Sequence, residues 1–198
     1  MKIAVVAPKV PKEVKNLIGD RIVYACDSAV EALHQAGIRI DLAIGDFDSI
    51  KDKTCLNDLK TIKLAKEKDD SDTHYALRHA YQQTDDVILV GGIEGKRVDH
   101  LIANLLLLER YNDLVIYDDY NIIRRLEVGD YTIKKGDYAY VSIFPLIDTN
   151  ITLLGAKYPL VEENLYQYDT LGLSNEIKYG VLELKIHKGI ILCIQSKR

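Results

Sequence analysis

Apolar and polar positions along the chain follow two grammars. Over the first 125 residues, short apolar runs alternate with segments of helical spacing. Residues 3–7, 21–26, 40–44, 87–90 and 114–117 read as strands, with 61–65 a weaker one. Between them, 11–18, 28–35, 73–82 and 98–111 place apolar side chains at helical intervals, and Gly19 and Gly37 stop the first two. This alternation predicts an α/β fold: a mostly parallel sheet with flanking helices.

After Leu126 the helical spacing disappears. Residues 131–133, 138–144, 151–154, 181–186 and 190–194 are short β-type runs broken by glycine-containing turns. Seven of the 13 tyrosines fall in this stretch, as strand preference favours. The expected organisation is an α/β domain over 1–125 followed by a small all-β sandwich domain over 126–198. A β-unit of that size buries little core alone, so it is expected to pack on the first unit or on a partner chain.

Composition narrows the field. The chain has 198 residues, 47% apolar and 28% charged, in the range of soluble globular proteins. Its 26 basic and 30 acidic residues give a net charge of −4, with no Lys/Arg tail. A general nucleic-acid or anionic-membrane surface is therefore not expected. A polyphosphate ligand would have to be held by metal ions or a few focused cations. Cys26, Cys55 and Cys193 are scattered without metal-type spacing and read as reduced thiols of a cytoplasmic protein. The opening MKIAVVAPKV is too short for a signal core and reads as a first strand. The apolar run 101–108 is too short to span a bilayer.

Candidate chemistry lies at strand ends. Gly45-Asp46-Phe47-Asp48-Ser49 follows the third strand, where open α/β sheets bind ligands. Asp46 and Asp48 would aim their oxygens at nearly one point with Phe47 turned inward, and two carboxylates that close favour a shared cation such as Mg²⁺. A turn whose Asp residues cap a helix is the simpler alternative. An EF-hand is excluded, because Lys51 and Asn57 stand at its sixth and twelfth positions. Asp27 ends the second strand. Lys68-Asp69-Asp70-Ser71-Asp72 precedes a helix, and Ser71 or Asp70 would serve as its cap. Three acids in four positions exceed what a cap needs, which favours metal binding or charge pairing. His74 and Tyr75 read as helix surface. Gly91-Gly92-Ile93-Glu94-Gly95-Lys96-Arg97 joins a strand to the longest helix and could cradle phosphate, although it lacks the GK[ST] of a P-loop. His100 and Asn104 share a face one turn apart, and Asp99 could simply pair with Arg97.

Taken together, GDFDS (45–49), KDDSD (68–72), GGIEGKRVDH (91–100), GAKYPL (155–160) and GLSNE (172–176) resemble the thiamine pyrophosphokinase family, in order and across nearly the whole chain. The resemblance implies a homodimer that converts ATP and thiamine to AMP and thiamine diphosphate. It implies Asp27, Asp46, Asp48 and Asp72 as Mg²⁺ and polyphosphate-handling acids. It implies Lys68, Asp69, Arg97, Asp99 and His100 near the substrates. An Asp acting as base could assist the alkoxide nucleophile, with Asp72 and Asp99 as candidates and a base-free route as the alternative. It also implies Ser174 and Asn175 as thiamine contacts in a pocket at the dimer interface. Ser28-Ala29 stands where the family often has two glycines, Ala156 where it has leucine, and Tyr158 where some relatives have tryptophan. Competing readings are a pyrophosphokinase for another alcohol such as a hydroxymethylpterin, a thiamine sensor without turnover, and a phosphatase using Asp46 as nucleophile with Asp118-Asp119 downstream.

Overall fold

The computed structural model describes residues 1–67 and 69–198, which divide into two compact units, Met1–Asp119 and Tyr120–Arg198. In the first, strands β1 (Ile3–Val6), β2 (Ile22–Cys26), β3 (Leu42–Gly45), β4 (Thr61–Lys63), β5 (Val87–Val90) and β6 (Val115–Tyr117) alternate with helices α1 (Val14–Ile18), α2 (Ala29–Gln35), α3 (Asp72–Tyr81) and α4 (Val98–Arg110). The strands are parallel and lie in the order β6-β5-β1-β2-β3-β4. Every residue of β1 and β5 is buried, as parallel strands covered on both faces require. Ala29, Val30 and Leu33 of α2, and Ala76, Leu77 and Ala80 of α3, supply the apolar stripes that cover the sheet.

The topology fixes where a ligand can enter. The chain runs outward from β1 to β4, then returns to lay β5 on the other side of β1. The crossovers that follow β1 and β5 therefore lead in opposite directions. The crevice between them is the switch point at which open α/β sheets bind ligands.

The second unit is all β. Strands β7 (Asn121–Leu126), β8 (Gly129–Lys134), β9 (Tyr140–Pro145), β10 (Thr149–Leu154), β11 (Leu160–Leu165), β12 (Asn175–Glu176), β13 (Val181–Lys188) and β14 (Ile191–Ser196) pair antiparallel in the orders β12-β9-β14-β7 and β11-β10-β13-β8. Val141, Ile143 and Cys193 from one set of strands meet Ile151, Leu153, Leu182 and Leu184 from the other in a common core, a sandwich arrangement.

Strands β7, β11 and β12 are absent from the sequence reading. β7 holds two arginines, and Arg125 is nevertheless buried, its guanidinium bonded to Glu127 at 2.5 Å. β11 is an edge strand, largely exposed and carrying Glu162 and Glu163, so it lacks the alternation of a half-buried strand. β12 has two residues, too few for any periodicity. Among the described residues no helix is long and apolar enough to cross a membrane.

Candidate active site

The switch-point crevice has a volume of about 640 Å³. Ala7, Pro8 and Lys9 beyond β1 form one wall, with Asp27 and Ser28 beyond β2 beside them. Ser49, Ser71 and Asp72 line it, and the loop from Gly92 to Arg97 with His100 and Asn104 of α4 completes it. The glycine loop sits this close because Gly92 has no side chain: a Cβ there would lie 2.7 Å from Asn104 Nδ2 and 2.8 Å from Ala7 Cβ. Gly92 also has φ +78°, and its carbonyl accepts from Asn104 Nδ2 at 2.7 Å. Buried Asn104 is thus the clamp that holds the loop to α4.

Three acids converge at the adjoining strand ends. Carboxylate oxygens of Asp27, Asp46 and Asp48 all lie within 4.8 Å of one another. Adjacent strands β2 and β3 are paired with Cys26 opposite Ile44, which places Asp27 beside Gly45. A Cβ on Gly45 would come within 3.1 Å of the Asp27 backbone, so glycine permits the approach. Phe47 turns into the core at φ +59°, leaving Asp46 and Asp48 on the outer side of the turn. Asp46 Oδ1 accepts from the Asp48 N–H at 3.1 Å, an Asx turn that fixes their spacing.

The cluster is electrostatically uneven. Burial, opposed by the Ser49 side chain and the Ser28 N–H, holds the Asp27 carboxyl above its ordinary range, and the Asp72 and Asp46 charges push it the same way. Its Oδ1 is buried without a hydrogen-bond partner among the described residues. Asp48 lies below its ordinary range because Lys66 Nζ stands 3.0 Å from Oδ2 and Ser49 donates to Oδ1. A pocket of hard carboxylate oxygens containing one orphaned buried atom fits a divalent cation of the Mg²⁺ type.

The KDDSD acids separate into distinct jobs. Ser71 caps α3 by accepting the His74 N–H at 3.1 Å. Asp70 pairs with His74 Nδ1 at 3.0 Å and with the Arg78 guanidinium. Asp72 lines the crevice. Asp69 is exposed, and Lys68 lies outside the described residues. His74 is therefore half-buried rather than surface, with its ring edge-on to Tyr111.

Arg97 reaches the crevice, while Asp99 is exposed and binds Arg97 through Nε at 2.9 Å and Nη2 at 2.6 Å. That pairing lowers the Asp99 carboxyl to about 2. Asp119 accepts the N–H groups of Lys12 and Glu13 at 2.9 Å each, a remote anchor for the start of α1. Neither Asp118 nor Asp119 lines the crevice, as the phosphatase reading would require.

Ser174 and Asn175 lie in the second unit. Ser174 has φ +55°, and its N–H donates to Ser142 Oγ at 3.0 Å. Asn175 is buried. Its Oδ1 accepts from the N–H groups of Tyr158 (3.1 Å) and Glu176 (3.0 Å), and its Nδ2 donates to Tyr158 O at 2.6 Å.

Sequence reasoning missed Lys9 and Lys66. Lys9 carried a faint signal, a lysine just past a strand end. Lys66 carried none, because its approach to Asp48 is made by folding.

Comparison with known proteins matches both units. The family model described as "Thiamin pyrophosphokinase, catalytic domain" matches residues 15–117, and that described as "Thiamin pyrophosphokinase, vitamin B1 binding domain" matches 130–191. A curated relative from Bacillus subtilis (strain 168), named thiamine pyrophosphokinase, is 32% identical over 201 residues, covering 92% of this chain and 94% of the relative. The crystal structure of thiamine pyrophosphokinase from Bacillus subtilis superposes with a TM-score of 0.89 at 30% identity, covering 100% of this chain and 99% of that one. The enzyme from Geobacillus thermodenitrificans gives 0.88 at 31% identity, covering 100% and 98%.

Proposed function

The chain belongs to the thiamine pyrophosphokinase family, and on that premise we propose how its own residues perform the reaction. The enzyme transfers the pyrophosphoryl group of ATP to the hydroxyl of thiamine, giving thiamine diphosphate and AMP. The thiamine oxygen forms a bond to the β-phosphorus, the bond to the α–β bridging oxygen breaks, and AMP departs. Such a transfer is governed by positioning and charge neutralisation.

The observation that carries the assignment is the convergence of Asp27, Asp46 and Asp48 beside the switch-point crevice. With Asp72, these acids would hold Mg²⁺. When bound, the cation neutralises phosphate charge and polarises the phosphoryl oxygens. Lys66 keeps Asp48 ionised. Arg97 and His100 address the substrates from the glycine-loop side, Arg97 being oriented by Asp99. Asp72 is the better of the two candidate bases, since it lines the crevice and Asp99 does not. Asp69 completes the nucleotide side, and Ser174 with the Asn175 turn the thiamine side. The active form is a homodimer with the thiamine pocket at the interface between copies. Three buried free thiols suit a reducing compartment, which supports a cytoplasmic enzyme.

Incubation with Mg²⁺, ATP and thiamine, followed by identification of the nucleotide product, tests this reading. AMP with thiamine diphosphate is expected. ADP, or phosphate without loss of thiamine, overturns it. Asp46→Asn and Asp48→Asn should each lower turnover at least ~100-fold. Near-wild-type rates in both would remove the metal assignment.

A further inference from the structure

The crevice contains a cation that the acid cluster and the glycine loop do not account for. Lys9 follows β1 directly and adopts φ +67°, a left-handed conformation that a side chain disfavours and glycine does not. Strain of this kind persists where the surrounding structure imposes it, and it collects at functional positions. Two glycines of the facing loop pack against Lys9 here. A Cβ on Gly91 would lie 2.8 Å from Lys9 O, and one on Gly95 would lie 3.3 Å from Lys9 Cε. The Lys9 backbone thus packs on Gly91, and its stem lies across Gly95. The flanking chain is anchored as well, by Ala7 N–H to Val90 O at 2.9 Å and by the Asp119 carboxylate on Lys12 and Glu13. Among the described residues no carboxylate pairs with the Lys9 ammonium. The fold therefore holds a strained lysine in a ligand crevice without an internal partner for its charge.

We propose that Lys9 is a polyphosphate-binding residue whose ammonium contacts the pyrophosphoryl portion of the nucleotide, the part that is transferred. That portion carries most of the negative charge of ATP, and a lysine serves it as a flexible point charge. The proposal rests on the crevice being the ATP site.

The test begins with wild-type enzyme and the product assay above, which judges that reading by itself. Lys9→Gly then removes the ammonium while suiting the left-handed backbone, and Lys9→Asn, which tolerates the same conformation, serves as a second neutral variant. The expected result is an ATP KM raised roughly 10- to 100-fold. Thiamine KM and inhibition by AMP should stay unchanged, and Lys9→Arg should recover most of the loss. A wild-type ATP KM in both neutral variants overturns the proposal. So does equal weakening of ATP and AMP, or a Lys9→Arg variant as impaired as Lys9→Gly. If wild-type enzyme forms no AMP, the reaction assignment fails. Calorimetric titration of ATP into wild-type and Lys9→Gly protein still decides whether Lys9 binds polyphosphate.

Discussion

His74 Nδ1 stands 3.0 Å from an oxygen of the Asp70 carboxylate, tying the first turn of α3 back to the segment that delivers Asp72 to the crevice. Arg78, one turn further on, grips the other oxygen of the same carboxylate. The His74 ring is edge-on to Tyr111, 6.3 Å between centroids, and Tyr111 stacks on Tyr81 at 4.4 Å. A line of contacts thus joins the acidic segment to the far ends of α3 and α4.

Asp70→Asn keeps the size of the side chain and removes both charge pairings. Partly exposed pairs of this kind contribute about 0.3–1 kcal/mol, so the thermal midpoint should fall by a few degrees or less. A larger relative effect is expected on kcat, with ATP KM little changed, because Asp72 loses a fixed approach. Steady-state kinetics alongside thermal melts checks both. Unaltered kcat would leave the clamp a purely structural device.

Asp27 should show a conflict between stability and activity. Burial raises its folded-state pKa, so the folded chain holds that proton more tightly than the unfolded one. The linked stability is greatest below the ordinary carboxylate pKa and is lost as pH rises through the raised value. Asp27→Asn removes this penalty. In metal-free buffer the variant should unfold at higher denaturant than wild type at about pH 7, and the gap should close towards about pH 4. Turnover should collapse in the same variant. Added Mg²⁺ should raise the wild-type midpoint and leave the variant's in place. A variant less stable than wild type at neutral pH would contradict the account.

Asn175→Ala is expected to act on stability as well as on substrate. The buried amide satisfies both backbone groups of Tyr158 and the N–H of Glu176. Removing it leaves part-buried backbone groups without partners, at a cost of about 1 kcal/mol. Denaturant unfolding of the purified protein measures this loss, and thiamine KM should rise with ATP KM preserved. An unchanged unfolding midpoint would show that the turn holds itself.

The α/β succession was legible because strand and helix periods differ and glycines punctuate them. The acids at strand ends were legible because topology confines ligands to those ends. The Asp70–His74 pair was half legible: the surplus of acids asked for charge pairing, but the burial of His74 depends on Tyr111, far along the chain. Lys66 beside Asp48 and the Asp119 anchor on residues 12 and 13 are tertiary contacts without local pattern. The edge strand β11 was hidden by its charges, which guard an exposed edge and erase the alternation that announces a strand.

The pairing of Cys26 with Ile44 has a further consequence. Because Asp27 and Asp46 meet through that ladder, a slip of one residue between β2 and β3 would point one of them at the opposite face. Cation affinity at this corner is therefore a gauge of strand alignment. A misaligned sheet could bury much the same apolar surface and still bind metal poorly.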